Sequence, residues 1–243
     1  MLKDKNSLYA PILVLLLVVS SFFVGRLSAQ ISTMKEGGNV VVDEKDAPSE
    51  ATGSKISVSA LKEMAKGFGV DSDTFNKCLD DGKYATRVAE ELNEGQKFEV
   101  SGTPSFMING LLVVGSLPQA DFEKVIDAEL KDGSGAVAAS TLSGSKVVRK
   151  SVPYGAGYIK GNKDAKVKIM EYTDFECPYC NKSFPTIEAL LAKYGNDISL
   201  EYRSYPLPFH ADAQKAAEAV LCAGDQGKFW EMHDKMFVVM GQQ

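Results

Sequence analysis

A Cys-x-x-Cys motif constrains this sequence more than any other feature. Cys177-Pro178-Tyr179-Cys180 follows a strand predicted over 167–172 and begins a helix predicted over 178–194. A helix N-terminus stabilises a thiolate through its free N–H groups and dipole, and Pro178 suits the first helical position. The spacing lets Cys180 resolve a mixed disulfide formed on Cys177, so the motif predicts redox chemistry.

Two other interpretations of the motif are a zinc half-site and a purely structural disulfide. A structural zinc site usually needs a second Cys-x-x-Cys or a histidine pair, whereas the remaining cysteines and both histidines are isolated in sequence. We therefore expect no metal and no cofactor. Asp174 and Glu176 precede the motif and oppose thiolate formation, so the sequence does not fix the pKa of Cys177.

The N-terminal segment predicts export. Residues 1–30 carry Lys3 and Lys5 before an uncharged, strongly apolar run over 8–25, which suits either an uncleaved membrane anchor or a cleaved signal peptide. A buried core helix is the other interpretation. The basic residues before the run favour an extracytoplasmic location for the remainder, where disulfides persist.

Residues 31–243 divide into two structured segments and two linkers. Residues 31–55 are polar and predict a linker, and residues 132–150 are rich in Gly, Ser and Ala and predict a flexible linker. The first segment, 56–131, has helical periodicity, then a hairpin signal at Asn109-Gly110, then another helix. The second segment, 151–243, contains strands at 167–172 and 198–205 and helical patterns at 178–194 and 210–240.

Composition narrows the class of protein. The chain has 243 residues, a net charge of −5 and 44% hydrophobic residues, which suits a globular domain of ordinary core size. The acidic pI near 5.2 argues against nucleic-acid binding. His233 shares helical spacing with Trp230 and Phe237 and is interpreted as a packing residue.

Three segments resemble one known family. Glu171-Tyr-Thr-Asp-Phe-Glu-Cys-Pro-Tyr-Cys180 is similar to the active-site segment of DsbA-like thiol–disulfide oxidoreductases, and residues 101–106 resemble their cis-proline loop. Residues 220–234 resemble their helical insert. The resemblance implies an α/β thioredoxin-like fold with an inserted helical subdomain.

The order of the segments differs from that family. The Cys-x-x-Cys half comes first in the family, whereas here 56–131 resembles the C-terminal half and 151–243 the N-terminal half. The chain therefore resembles a circular permutant joined by the 132–150 linker. Pairing of the halves within one chain gives a monomer, and pairing between chains gives a domain-swapped dimer.

The resemblance also implies site residues. Cys177 would be the nucleophile and Cys180 the resolving thiol, with Pro104 in a cis peptide bond and the Thr103 backbone exposed to an extended substrate. Glu171 would be a buried carboxyl with a raised pKa that relays a proton, although a surface glutamate is the plainer interpretation. Four cysteines allow three pairings, and the resemblance favours a non-catalytic Cys78–Cys222 disulfide over two inert buried thiols.

The resemblance implies an extracytoplasmic oxidase that forms disulfides in exported proteins and is reoxidised by a quinone-linked membrane partner. A disulfide isomerase or reductase with the same cysteines is the second hypothesis. A non-catalytic thioredoxin-fold binding module is the third, and the presence of both Cys177 and Cys180 argues against it.

Overall fold

The fold is a mixed five-stranded sheet surrounded by helices. The computed structural model describes residues 53–143 and 147–241. In chain order the elements are α1 Val58–Lys66, α2 Ser72–Asp80, α3 Ala85–Lys97, β1 Ser105–Ile108, β2 Leu111–Val114, α4 Gln119–Lys131, α5 Gly135–Ser143, β3 Ile159–Gly161, β4 Val167–Thr173, α6 Pro178–Tyr194, β5 Ile198–Ser204, α7 Ala213–Gly224 and α8 Phe229–Gly241.

The sheet has the strand order β2-β1-β4-β5-β3. Strands β4 and β5 run parallel, and the other neighbouring pairs are antiparallel. Strand β4 is central and almost wholly buried, because side chains from its two faces enter different cores. This α/β architecture is the one expected of a thioredoxin-like fold.

Helices cover both faces of the sheet. Val167 and Ile169 of β4 pack with α4, α5 and α6, whereas Met170 and Tyr172 face the opposite side, where the Tyr172 hydroxyl donates to Glu94 of α3. A further apolar cluster joins α1, α2, α7 and α8 and includes the two motif cysteines. The motif therefore lies where the sheet meets a mainly helical layer.

The predicted hairpin lies between β1 and β2. Asn109 has φ 46° and Gly110 has φ 83°, which is the left-handed geometry of a two-residue hairpin turn. A Cβ at Gly110 would lie 2.0 Å from the Lys150 carbonyl oxygen, so the position also requires glycine for space. Asp71 caps α2 by accepting a hydrogen bond from the Thr74 N–H.

The segment predicted as a flexible linker, 132–150, contains helix α5. Its Ala139 is buried and Leu142 packs against the same apolar cluster as α4 and β2. The prediction of a linker was wrong for this part of the segment, because its alanines favour a helix more strongly than its Gly and Ser content suggested. The single helical pattern predicted over 210–240 is two helices, since residues 225–227 form a turn between them.

A buried ion network fixes β5. Arg203 is 2% exposed and donates to Glu201 at 2.7 Å and to Glu94 of α3 at 2.9 Å. Glu201 also accepts the N–H groups of Gly155 and Gly157, so the network holds the segment before β3 against the sheet.

The predicted N-terminal anchor, 1–30, and nearly all of the 31–55 linker lie outside the described residues. Within residues 53–143 and 147–241, no helix is long and apolar enough to cross a bilayer.

Candidate functional site

The Cys-x-x-Cys motif lies at the N-terminus of α6. Cys177 is the N-cap residue and Pro178 the first helical residue. The Cys177 N–H donates to the Asp174 carbonyl, and its own carbonyl accepts the Asn181 N–H, which starts the helix. The residues after β4 thus turn directly into α6, so the end of the central strand determines where both thiols lie.

The structure contains both motif cysteines as free thiols, and both are buried. The Cys177 Sγ lies 3.4 Å from the Thr103 carbonyl oxygen. Interaction with the Cys180 side chain, followed by contacts from Thr103 and the N–H groups of Cys180 and Tyr179, lowers the pKa of Cys177 to about 5, against an opposing effect of burial. Cys177 is therefore mainly a thiolate at neutral pH.

Cys180 has the opposite electrostatic environment. Burial and the neighbouring Cys177 raise the pKa of the Cys180 thiol well above its usual value. One sulfur of the pair is thus ready to attack or to leave as an anion, while the other retains its proton.

The Thr103–Pro104 peptide bond is cis. It precedes β1, and Pro104 is buried beside the motif. The structure therefore brings together Cys177 and the Thr103–Pro104 loop, which are more than 70 residues apart in sequence, as the predicted site requires.

Glu171 lies on the central strand beneath the motif. It is 4% exposed and sits between Phe106 of β1 and Tyr202 of β5 in the sheet register. Burial, with a smaller contribution from Glu188, raises the pKa of the Glu171 carboxyl to about 8 against the lowering effects of Thr173 and Lys160. The structure thus places Glu171 in the interior, where the sequence left a surface position open.

An aspartate–histidine pair next to the motif is a feature that the sequence did not predict. The Asp174 carboxylate accepts hydrogen bonds from the N–H groups of Glu176 and Leu207, and it lies 2.8 Å from His210 Nδ1. Glu176 in turn accepts the Asp212 N–H at 2.6 Å. The sequence indicated only that these two carboxylates oppose formation of the thiolate. In the structure they also hold the 205–212 loop against the motif.

Two large apolar side chains are exposed close to this site. Tyr179, inside the motif, is 63% exposed, and Phe209, in the loop held by Asp174, is 75% exposed. Exposed apolar side chains around a reactive group are typical of protein-binding surfaces.

The other two cysteines form a disulfide. Cys78 of α2 and Cys222 of α7 are joined, with a sequence separation of 144 residues. His233 packs among aromatic rings, including Phe175 and Trp230, and contacts Asp234 through Nδ1 at 2.8 Å. Among the described residues, no group of three or more His, Cys, Asp or Glu side chains is arranged to hold a metal ion.

Comparison with known proteins gives two kinds of similarity. A family model described as thioredoxin matches residues 38–128 and 154–242. Among curated proteins, a Na(+)/H(+) antiporter NhaA 1 of Salinispora arenicola is 45% identical over 86 residues, which are 35% of this chain and 13% of the relative. The corresponding antiporter of Mycolicibacterium vanbaalenii is 38% identical over 95 residues, which are 39% of this chain and 15% of the relative.

The chain spans only 13–15% of the length of these curated relatives. Their identity therefore concerns a short shared segment and does not carry over an activity. The thioredoxin model, in contrast, matches about three quarters of the chain and includes both the motif and the cis-proline loop. Together with the five-stranded α/β sheet and the free thiol pair at the start of α6, this match shows that the chain belongs to the thioredoxin family.

Proposed function

We propose that this protein is an extracytoplasmic thiol–disulfide oxidoreductase of the DsbA-like type that forms disulfides in exported proteins. The observation that carries the proposal is the opposed pair of thiols at the start of α6, with the pKa of Cys177 lowered to about 5 and that of Cys180 raised. Because of this asymmetry, Cys177 is the sulfur that forms the mixed disulfide with the substrate and later leaves it as a thiolate.

In the forward reaction, a substrate thiolate attacks Cys177 of the Cys177–Cys180 disulfide. A bond forms between the substrate sulfur and Cys177, the Cys177–Cys180 bond breaks, and Cys180 leaves with the electron pair and takes up a proton. A second substrate thiolate then attacks the substrate sulfur of the mixed disulfide and releases Cys177 as a thiolate. The substrate is oxidised to a disulfide, and the motif is reduced to the dithiol.

Glu171 supplies the proton in this proposal. A buried carboxyl with a pKa of about 8 is mainly protonated at neutral pH, so it can protonate the departing Cys180 sulfur and recover the proton in the reverse direction. Thr103 would present its backbone to an extended substrate next to Cys177, from whose sulfur its carbonyl lies 3.4 Å away.

The low pKa of Cys177 favours the oxidase over its rivals. A stabilised Cys177 thiolate stabilises the reduced protein, which makes the disulfide more oxidising. Its pKa of about 5 lies between about 7 for thioredoxin and about 3.5 for a strong oxidant. A disulfide isomerase or reductase with the same cysteines is the second candidate, because the pKa of Cys177 is not as low as that of the strong oxidant.

The location and partners belong to the same proposal. The basic and apolar pattern of residues 1–30 supports export and a membrane anchor. Exported proteins with cysteines would be the substrates, and a quinone-linked membrane protein would reoxidise the motif.

We also propose that the two halves are circularly permuted relative to DsbA-like proteins. The support is the chain order: Thr103–Pro104 precedes Cys177, and the Cys78–Cys222 disulfide joins the 56–131 and 151–243 segments. A swapped dimer would make this disulfide between chains, so non-reducing electrophoresis distinguishes it from a monomer.

A redox titration of Cys177–Cys180 against glutathione tests the function. We expect a potential toward the oxidising end of the range from about −270 mV to about −120 mV. A value near −270 mV would overturn the oxidase in favour of a reductase. Loss of thiol exchange is expected in Cys177→Ser but not in Cys78→Ala/Cys222→Ala, the matched control. Exchange retained in Cys177→Ser would refute the role of Cys177 as the nucleophile, and no exchange in the native protein would leave only a binding module.

A further inference from the structure

Thr173 interacts with both groups that exchange a proton in the proposed reaction. It is the last residue of β4, two positions after Glu171, so both side chains point to the same face of the strand. Thr173 is 1% exposed and Glu171 is 4% exposed. Cys180 of α6 is fully buried and interacts with the Thr173 side chain.

The Thr173 hydroxyl is a buried group without a hydrogen bond in the structure. Leaving a buried hydroxyl unpaired costs about 1–3 kcal/mol, so such groups are rare and call for an explanation. This hydroxyl stabilises the charged forms of both Cys180 and Glu171, and so opposes the larger effect of burial, which raises the pKa of each. A valine would fill the same space without the cost of the unpaired group.

We propose that the Thr173 hydroxyl relays the proton between Glu171 and Cys180, a role that rests on the proposed oxidoreductase function. When the Cys177–Cys180 disulfide is cleaved, the Thr173 O–H protonates the Cys180 sulfur as the Glu171 carboxylic acid protonates the Thr173 oxygen. The hydroxyl is regenerated, one proton has moved from Glu171 to Cys180, and Glu171 becomes a carboxylate. The reverse transfer activates Cys180 when it attacks a mixed disulfide.

Other titratable groups face Glu171 from the elements packed around it. Glu188 of α6 and Lys160 of β3 act on it electrostatically, and Lys160 is held at 2.8 Å from both Glu188 and Asp234 of α8. Tyr202 of β5 lies opposite Glu171 in the register and also has an unpaired buried hydroxyl. The Glu171 carboxylate contributes to the raised pKa of Tyr202, but the hydroxyl that contributes to the pKa values of both Glu171 and Cys180 is that of Thr173.

The test compares Thr173→Val with Thr173→Ser and Tyr202→Phe. Valine keeps the β-branched shape that the strand favours and removes the hydroxyl, serine keeps the hydroxyl, and phenylalanine removes the neighbouring orphan hydroxyl as the matched control. Oxidised protein is mixed with reduced glutathione in single-turnover experiments from pH 5 to pH 9. The rate of cleavage of the Cys177–Cys180 disulfide is recorded, and urea unfolding of each variant checks the fold.

We expect Thr173→Val to slow cleavage about tenfold or more at pH 6, since general acid catalysis contributes at least that much. The difference should disappear above about pH 8, where Glu171 has lost the proton that the hydroxyl would carry. Thr173→Ser should remain within about threefold of the native rate, and Tyr202→Phe should match the native rate.

Three outcomes would overturn the relay. They are an unchanged rate in Thr173→Val, an equal slowing at every pH, and equal slowing in the valine and serine variants. Thr173→Ala repeats the test if the valine variant does not fold. If the native protein itself fails to react with glutathione, the proposed function fails instead, so the two failures are distinguishable.

Discussion

Replacing Glu171 by Gln should stabilise the protein at neutral pH, because burial penalises the charged form of this carboxyl and glutamine carries no charge. The pKa of Glu171 is about 8 in the folded protein and 4.5 without the fold. Between pH 4.5 and pH 8 the unfolded state binds fewer protons than the folded state, so the free energy of unfolding falls as pH rises. The slope is about 1.36 kcal/mol per pH unit. Relative to a residue that does not ionise, Glu171 therefore lowers the free energy of unfolding by roughly 3 kcal/mol at pH 7 and by roughly 5 kcal/mol well above pH 8.

The assay is urea unfolding of the native protein and Glu171→Gln at pH 4.5, 7 and 9. Glutamine has nearly the same shape and no charge, so the difference between the two proteins isolates the ionisation. The difference should be near zero at pH 4.5 and should favour the variant by roughly 3 kcal/mol at pH 7. It should increase again by pH 9.

Glu188→Gln is the matched control. Its side chain is 36% exposed and pairs with Lys160 at 2.8 Å, so removal of the charge should change stability by less than about 1 kcal/mol at each pH. A difference between native protein and Glu171→Gln that does not vary with pH would refute the reasoning. It would mean that Glu171 has the same pKa in both states.

Three further predictions concern the thiols and the buried ion network. In the native reduced protein, the ultraviolet absorbance of the thiolate should titrate with a midpoint near pH 5, and this transition should be absent in Cys177→Ser. The stability that the Cys177 thiolate contributes should be lost as pH falls through that value. Cys78→Ala/Cys222→Ala should lose about 3–5 kcal/mol in urea unfolding, because the disulfide closes a loop with a separation of 144 residues. Arg203→Met should lose about 3 kcal/mol or more, since it strands the buried Glu201 carboxylate, and a smaller loss in melting experiments would count against that network.

The sequence predicted the elements whose cause is local. The helix over 178–194 and the hairpin at Asn109-Gly110 depend on residues within a few positions of one another, and the structure has both. The α/β thioredoxin fold is also confirmed, because its motif lies at the strand-to-helix junction that the periodicity indicated.

The features that the sequence did not predict depend on distant contacts. Strand β3 has three residues and exists because Ile159–Gly161 pairs with β5. Helix α5 is formed by a segment whose composition is that of a linker, and it is stabilised by packing on α4 and β2. The Asp174–His210 pair joins residues 36 positions apart, and no local pattern marks either one as a partner.

The hairpin residue Asn109 connects local turn chemistry to the geometry of the site. Besides forming the turn, its side-chain oxygen accepts the Lys168 N–H at 2.9 Å, which ties the end of β1 to β4. That register places Phe106 opposite Glu171 and Ser105 opposite Tyr172, directly after the Thr103–Pro104 loop. A slip of one residue would turn Glu171 to the other face of the sheet and move the loop along the strand. The side chain that makes the turn therefore also holds the acid beneath the thiols and the loop beside Cys177.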